Sequence, residues 1–149
     1  MSKKKSKKTS SWKSKIRENA KLIVVVAILI GVSFYMGIAT PQTISIPINL
    51  SGLTVGLQYS TTVTYGPFHT GVRVTFDVSS NSHSWDVSIF SIGGTPLAVL
   101  SSSNTGTFST SWHYAPNGVI IQIHSYTTIP TNMNLDGTLS ITSSRFPFI

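Results

Sequence analysis

At 149 residues the chain has room for one ordinary domain and a short appendage, and without cysteine it has no disulfide to staple either. Its formal charge of +7 is unevenly placed: nine of eleven cations precede residue 22, while residues 40–149 hold Arg73 and Arg145 against Asp77, Asp86 and Asp136. This excludes a basic nucleic-acid-binding face on the larger part, since such a face needs Lys and Arg arrayed over a folded surface.

The first 21 residues read as a cytoplasmic polybasic arm. Lys3, Lys4, Lys5, Lys7, Lys8, Lys13, Lys15, Arg17 and Lys21 are opposed only by Glu18. Cations flanking a hydrophobic segment hold that end in the cytoplasm and attract the anionic inner leaflet of a bilayer, at about 1 kcal/mol per residue near the surface.

Leu22 to Ala39 is an uncharged apolar run. Eighteen residues at the helical rise span about 27 Å, close to the hydrocarbon core of a bilayer. The β-branched Ile23, Val24, Val25, Val26, Ile28, Ile30 and Val32 would serve a helix poorly in water, but lipid forces every backbone group to bond internally. Leu22, Leu29, Phe34 and Met36 add apolar bulk, and Tyr35 suits the outer interface. Ala27 with Gly31, and Ser33 with Gly37, have the small-xxx-small spacing of paired helices, on two different faces. Pro41 stops the helix. The run is read as a retained signal-anchor. The rival is a cleaved signal peptide, because Gly37-Ile38-Ala39 puts small residues at both positions that such a cut needs. Either way residues 40–149 lie outside the cytoplasm.

Beyond residue 40 the period is two, as in strands. Ile44, Ile46, Ile48 and Leu50 alternate with polar residues; so do Leu53, Val55, Leu57 and Tyr59, and Thr61, Val63 and Tyr65 continue from there. Val72, Val74, Phe76 and Val78 follow, then Trp85, Val87 and Ile89, a short run at 97–100, and Phe108, Thr110, Trp112 and Tyr114. Val119, Ile121 and Ile123, then Leu139 and Ile141, supply two last strands. Turn chemistry stands at Gly66-Pro67, Gly93-Gly94, 104–106, 116–118 and Asp136-Gly137. Eight or nine short strands at this spacing predict an antiparallel β-sandwich.

Around Ala115-Pro116-Asn117-Gly118 the spacing predicts a hairpin in which Trp112 faces Ile121 or Ile123, with His113 and His124 as neighbours on the polar side. In the stretch from Trp85 to Thr142, GTFSTSWHYAPNGVIIQIHS resembles small exported sandwiches of the pre-peptidase C-terminal and GOLD kinds, and implies the same two-layer fold. Fold of that kind does not give function.

No chemistry stands out. His69, His83, His113 and His124 have no metal-ligand spacing and read as surface histidines. Asn132-x-Asn134-x-Asp136-Gly137 opens like a calcium loop, but Ser143 stands where the bidentate Glu belongs, so a plain turn is expected. Three scattered aspartates offer no carboxylate pair, and neither enzyme activity nor a cofactor is expected. Asn49-Leu50-Ser51 is an N-glycosylation sequon.

Residues 40–149 contain no Lys and no Glu, and about a third of them are Ser or Thr. Such a neutral, hydroxyl-rich exterior suits a harsh or acidic setting, as in an archaeal envelope or archaeal-virus coat. The expectation is a single-pass surface protein with a binding, adhesion or envelope-structural role, partnered by the bilayer and by itself or another envelope protein. The alternative is a secreted filament subunit whose segment Gln42–Tyr59 completes a neighbour's sheet.

Overall fold

The computed structural model describes residues 8–145; of residues 8–14, 16, 18 and 37–39 only the backbone is described. The chain divides after Ala39 into two compact units. The first is one helix, α1 (Lys8–Ala39). It begins well before the apolar run, so the basic segment expected as a flexible arm is helical from Lys8 onward. The reason is local: Lys13, Lys15, Arg17, Glu18, Ala20 and Lys21 are all good helix formers. Its 32 residues extend about 48 Å at the helical rise.

The second unit is all antiparallel β-sheet. Among the described residues it has seven strands: β1 (Gln42–Val63), β2 (Gly71–Asn81), β3 (Trp85–Ser91), β4 (Pro96–Ser102), β5 (Gly106–Ser109), β6 (His113–Tyr114) and β7 (Val119–Ser144). Two of them far exceed the usual strand of five or six residues. β1 and β7 pair from Gln42 opposite Ser143 to Val63 opposite Val119, forming one ribbon that serves both halves of the domain. Along the other edge of β7, β3 pairs with its first part and β2 with its last. β4 then adds to β3, while β5 and β6 add to β2. One layer is thus β4-β3-β7-β1, and the other is β5/β6-β2-β7-β1.

The ribbon changes layer at a single irregularity. Thr54 faces Thr131 and Gly56 faces Tyr126, so Val55 alone stands opposite residues 127–130. The Thr54 hydroxyl donates to the Gly56 carbonyl at 3.1 Å and accepts from the Gly56 N–H at 3.2 Å, which fixes the kink locally. The β2–β3 connection crosses between layers beside it. There Ser82 N–H donates to the Asn134 carbonyl at 3.1 Å, and Asn134 N–H donates to the Ser82 hydroxyl at 2.9 Å.

The inward side chains of both halves form one core. Val72, Val74, Phe76, Leu139 and Ile141 come from one layer, and Trp85, Val87, Ile89, Ile121 and Ile123 from the other. Each such side chain, fully buried, contributes about 1.5–3 kcal/mol of transfer free energy. That is how a cysteine-free domain of this size holds together.

Four sequence expectations change. The strands are fewer and longer, because Gly52 and Gly56 do not interrupt β1 and Asp136-Gly137 does not interrupt β7. Asp136-Gly137 is therefore strand, not turn. Gly137 is needed there for closeness: a Cβ on it would stand 2.4 Å from the Asp77 carbonyl oxygen and 3.0 Å from the Phe76 ring. The Pro116–Gly118 turn exists, with φ of 75° at Asn117 and 132° at Gly118, yet it joins no hairpin. β6 pairs Gly71 with Tyr114 and Val72 with His113 in one layer, whereas β7 leaves the turn into the other. Trp112 therefore faces neither Ile121 nor Ile123.

Candidate interaction surface

The anchor residues expected from the sequence all fall within α1, whose window Asn19–Met36 has a mean hydropathy of 2.0 and is long and apolar enough to cross a membrane. From Leu22 to Met36 no side of the helix carries a charge. Of the nine topology-determining cations, Lys8, Lys13, Lys15, Arg17 and Lys21 lie on the same helix, ahead of this window or at its start. Lys3, Lys4, Lys5 and Lys7 lie outside the described residues, as does the tail from Phe146 to Ile149.

The four histidines are not gathered. His69 is buried, against the expectation of a surface residue, because it sits under the end of β7 with Nδ1 2.9 Å from the Ser143 hydroxyl. His83 contacts Ser82 at 2.9 Å, and His113 contacts Ser111 at 3.2 Å. His124 is not beside His113 but pairs with Asp86 on β3, Nδ1 to Oδ1 at 3.3 Å. Ser88 donates to the same carboxylate oxygen at 3.3 Å. In a nucleophilic triad the serine belongs on the second imidazole nitrogen, whereas Ser88 sits on the carboxylate. The arrangement orients an imidazole without preparing a nucleophile.

The calcium-like run is committed elsewhere. The Asn134 side chain donates to Ser80 at 2.7 Å, and the Asp136 carbonyl accepts from the Ser79 hydroxyl at 3.2 Å. Among the described residues no three His, Cys, Asp or Glu side chains gather where a metal would need them.

What the structure does assemble is a hydroxyl-lined outer face. Register places Ser45, Ser140, Thr75 and Ser109 in one row across four strands. Ser45 and Ser140 stand 3.2 Å apart, and Thr75 and Ser109 2.7 Å. In the next rows Thr43 meets Thr142 at 3.0 Å and Thr107 donates to Asp77 at 3.0 Å. Three of these four contacts join hydroxyl to hydroxyl and satisfy both without an ionised group, which gives the scarcity of charge a structural form. Asn49 of the sequon lies exposed on β1, opposite Asp136.

Beside this face runs a feature that strand periodicity alone does not reveal. β1 pairs with β7 and, among the described residues, with no other strand, so its outer edge is open in both layers. The signal available in the sequence was the complete lack of charge from Gln42 to Val63. The structure also puts Gln42–Tyr59 inside its own sheet, so donating this segment to a neighbour would require breaking the β1–β7 ladder from Gln42 to Tyr59.

Comparisons add a fold likeness and no kinship. No protein-family model matches the sequence, and no curated relative does, so the likeness to the pre-peptidase and GOLD kinds is one of strand pattern. Among solved structures, a subunit of the disulfide-linked pili that form Bacillus endospore appendages is similar over 70% of this chain and 88% of its own, at 9% identity and a TM-score of 0.40. An infectious bursal disease virus subviral-particle protein is similar over 72% of this chain and 34% of its own, at 14% identity and a TM-score of 0.45. The Aeromonas hydrophila periplasmic inhibitor of g-type lysozyme matches over 71% and 88%, at 9% identity and a TM-score of 0.37. This chain spans only about a third of the viral protein's length.

Proposed function

We propose that this chain is a single-pass membrane-anchored surface protein, amino terminus in the cytoplasm, whose β-sandwich acts outside without catalysis, in binding, adhesion or envelope architecture. The observation that carries this reading is α1: apolar on every side from Leu22 to Met36, with nine cations at one flank and, past the other, none before Arg73. A helix hydrophobic all round belongs in lipid or in a protein interior, and a one-sided cation excess orients it. The neutral outer face supports the rest, since hydroxyl rows stay wettable without depending on ionised carboxylates. A secreted subunit with a cleaved leader is the competing reading, kept by Gly37-Ile38-Ala39 at the end of the helix.

Fractionation with a mass measurement tests it. The intact chain is expected in membranes after carbonate extraction. Trypsin applied to inverted vesicles should trim the amino terminus, while residues 40–149 stay protected. A mature chain lacking about 39 residues supports secretion; intact chain in the soluble fraction overturns anchoring.

A further inference from the structure

We propose that a second copy of this chain pairs with the open edge of β1 over Leu57–Val63, antiparallel and centred on Ser60, joining two four-stranded layers into one. An open edge offers a row of unpaired N–H and C=O groups, and native sheets blunt such edges with charge, proline, bulges or shortness. The edges of this domain differ in how far they are blunted. The first part of β1 carries Pro47, which removes a donor. β4 starts at Pro96 and bulges against Phe90. β5 and β6 have only four and two residues. Leu57–Val63 has no proline, glycine, charge or bulge.

The occupant follows from the pattern of that segment. Register with β7 turns Leu57, Tyr59, Thr61 and Val63 to the core side, opposite Ser125, Ile123, Ile121 and Val119. Gln58, Ser60 and Thr62 face outward. Two copies centred on Ser60 set Leu57 against Val63 and Tyr59 against Thr61 inside. Outside they set Gln58 against Thr62 and Ser60 against Ser60. Every apolar end meets an apolar end, and every outward polar group meets another. Tyr59 is only partly buried at the edge of the core, so the added strand extends that core. β4 does not complement itself this way: centred on Val99, it would set Leu97 against Ser101. A two-fold pair of this kind is closed, whereas β4 joined to β1 of the next copy would run on into a filament.

The absence of cysteine makes the test direct. In the full chain in its membranes, and again in detergent, Ser60→Cys should cross-link under mild oxidation to a species of twice 16.1 kDa. Directly opposed residues of an antiparallel pair have Cα atoms about 4.5–5.5 Å apart, within disulfide range. Val99→Cys should form the same dimer without cross-linking. Ser60→Lys, which places two ammonium groups face to face, should convert the dimer to monomer with the strand circular-dichroism signal unchanged. Cross-linking of Ser60→Cys with loss of the dimer in Ser60→Lys supports the pairing. A Ser60→Cys chain that stays monomeric, a Ser60→Lys chain that remains dimeric, or Ser60→Cys cross-linking to Val99→Cys in ladders overturns it. The pairing does not depend on the anchor, so failure of fractionation and failure of cross-linking are separate results.

Discussion

Phe76 of β2 and Trp85 of β3 meet edge to face, ring centroids 5.3 Å apart at 88°, although their strands belong to different layers. Phe108 also meets the indole edge to face, centroids 4.9 Å apart, and the indole N–H donates to the Asn104 carbonyl at 3.3 Å. Trp85 is the largest fully buried side chain among the described residues and ties three strands together.

Trp85→Ala should therefore cost about 3–5 kcal/mol, the range for removing a buried aromatic. Trp85→Phe should cost clearly less, since a ring still fills part of the space. Denaturant unfolding of the full chain in detergent, followed by circular dichroism, reads both. A loss under about 1 kcal/mol for the alanine variant would contradict the central place given to this contact.

Gly137→Ala should destabilise by about 1–3 kcal/mol or prevent folding, because the new methyl must displace the Asp77 backbone. Gly93→Ala serves as the control, since its Cβ would meet nothing nearer than the Ser91 hydroxyl at 3.7 Å. The same two unfolding curves compare them.

Strong alkali should expose Tyr65. Burial pushes its phenol up to about 12 against a partner that lowers it, the backbone of Gly118, and its hydroxyl donates to the Ala115 carbonyl. The folded state thus holds this proton more tightly than the unfolded state. Its stabilising share is complete below about pH 10 and is lost as pH rises toward 12. Melting temperatures from pH 9 to 12 should fall more steeply for the native chain than for Tyr65→Phe. Parallel curves would refute the assignment.

Acid should do little. Residues 40–149 offer only three side-chain carboxylates for protonation, Asp77, Asp86 and Asp136, none of them buried, and of their four histidines only His69 is buried. A fall of more than about 15 °C in melting temperature between pH 7 and pH 3 would argue against an exterior suited to acid.

The layer architecture was legible because every inward position alternates, from Ile44 through Ile141, and alternation survives whatever the strand lengths are. Length was not legible. Gly52, Gly56 and Gly137 are punctuation in local terms, yet β1 continues through the first two, with a kink at Gly56, and β7 through the third. Gly137 reads as a turn because a close approach to Asp77 and a tight turn both demand the same missing side chain. The turn at Asn117-Gly118 was visible for its backbone, but local chemistry could not say that its two arms enter different layers. The open edge of β1 depends on which strand pairs with which, information held 56 to 101 residues away in β7.

The first and last strands of the domain are each other's partners, so Gln42, three residues past the end of α1, lies opposite Ser143. This sets how the domain bears mechanical tension. A pull that enters β1 at Gln42 and leaves β7 at Val119, the opposite end of the ribbon, runs parallel to the ladder, and many cross-strand bonds share the load at once. The same pull applied between Gln42 and Ser143 would peel the ribbon open one pair at a time. The fold is strong along one axis and tearable across it.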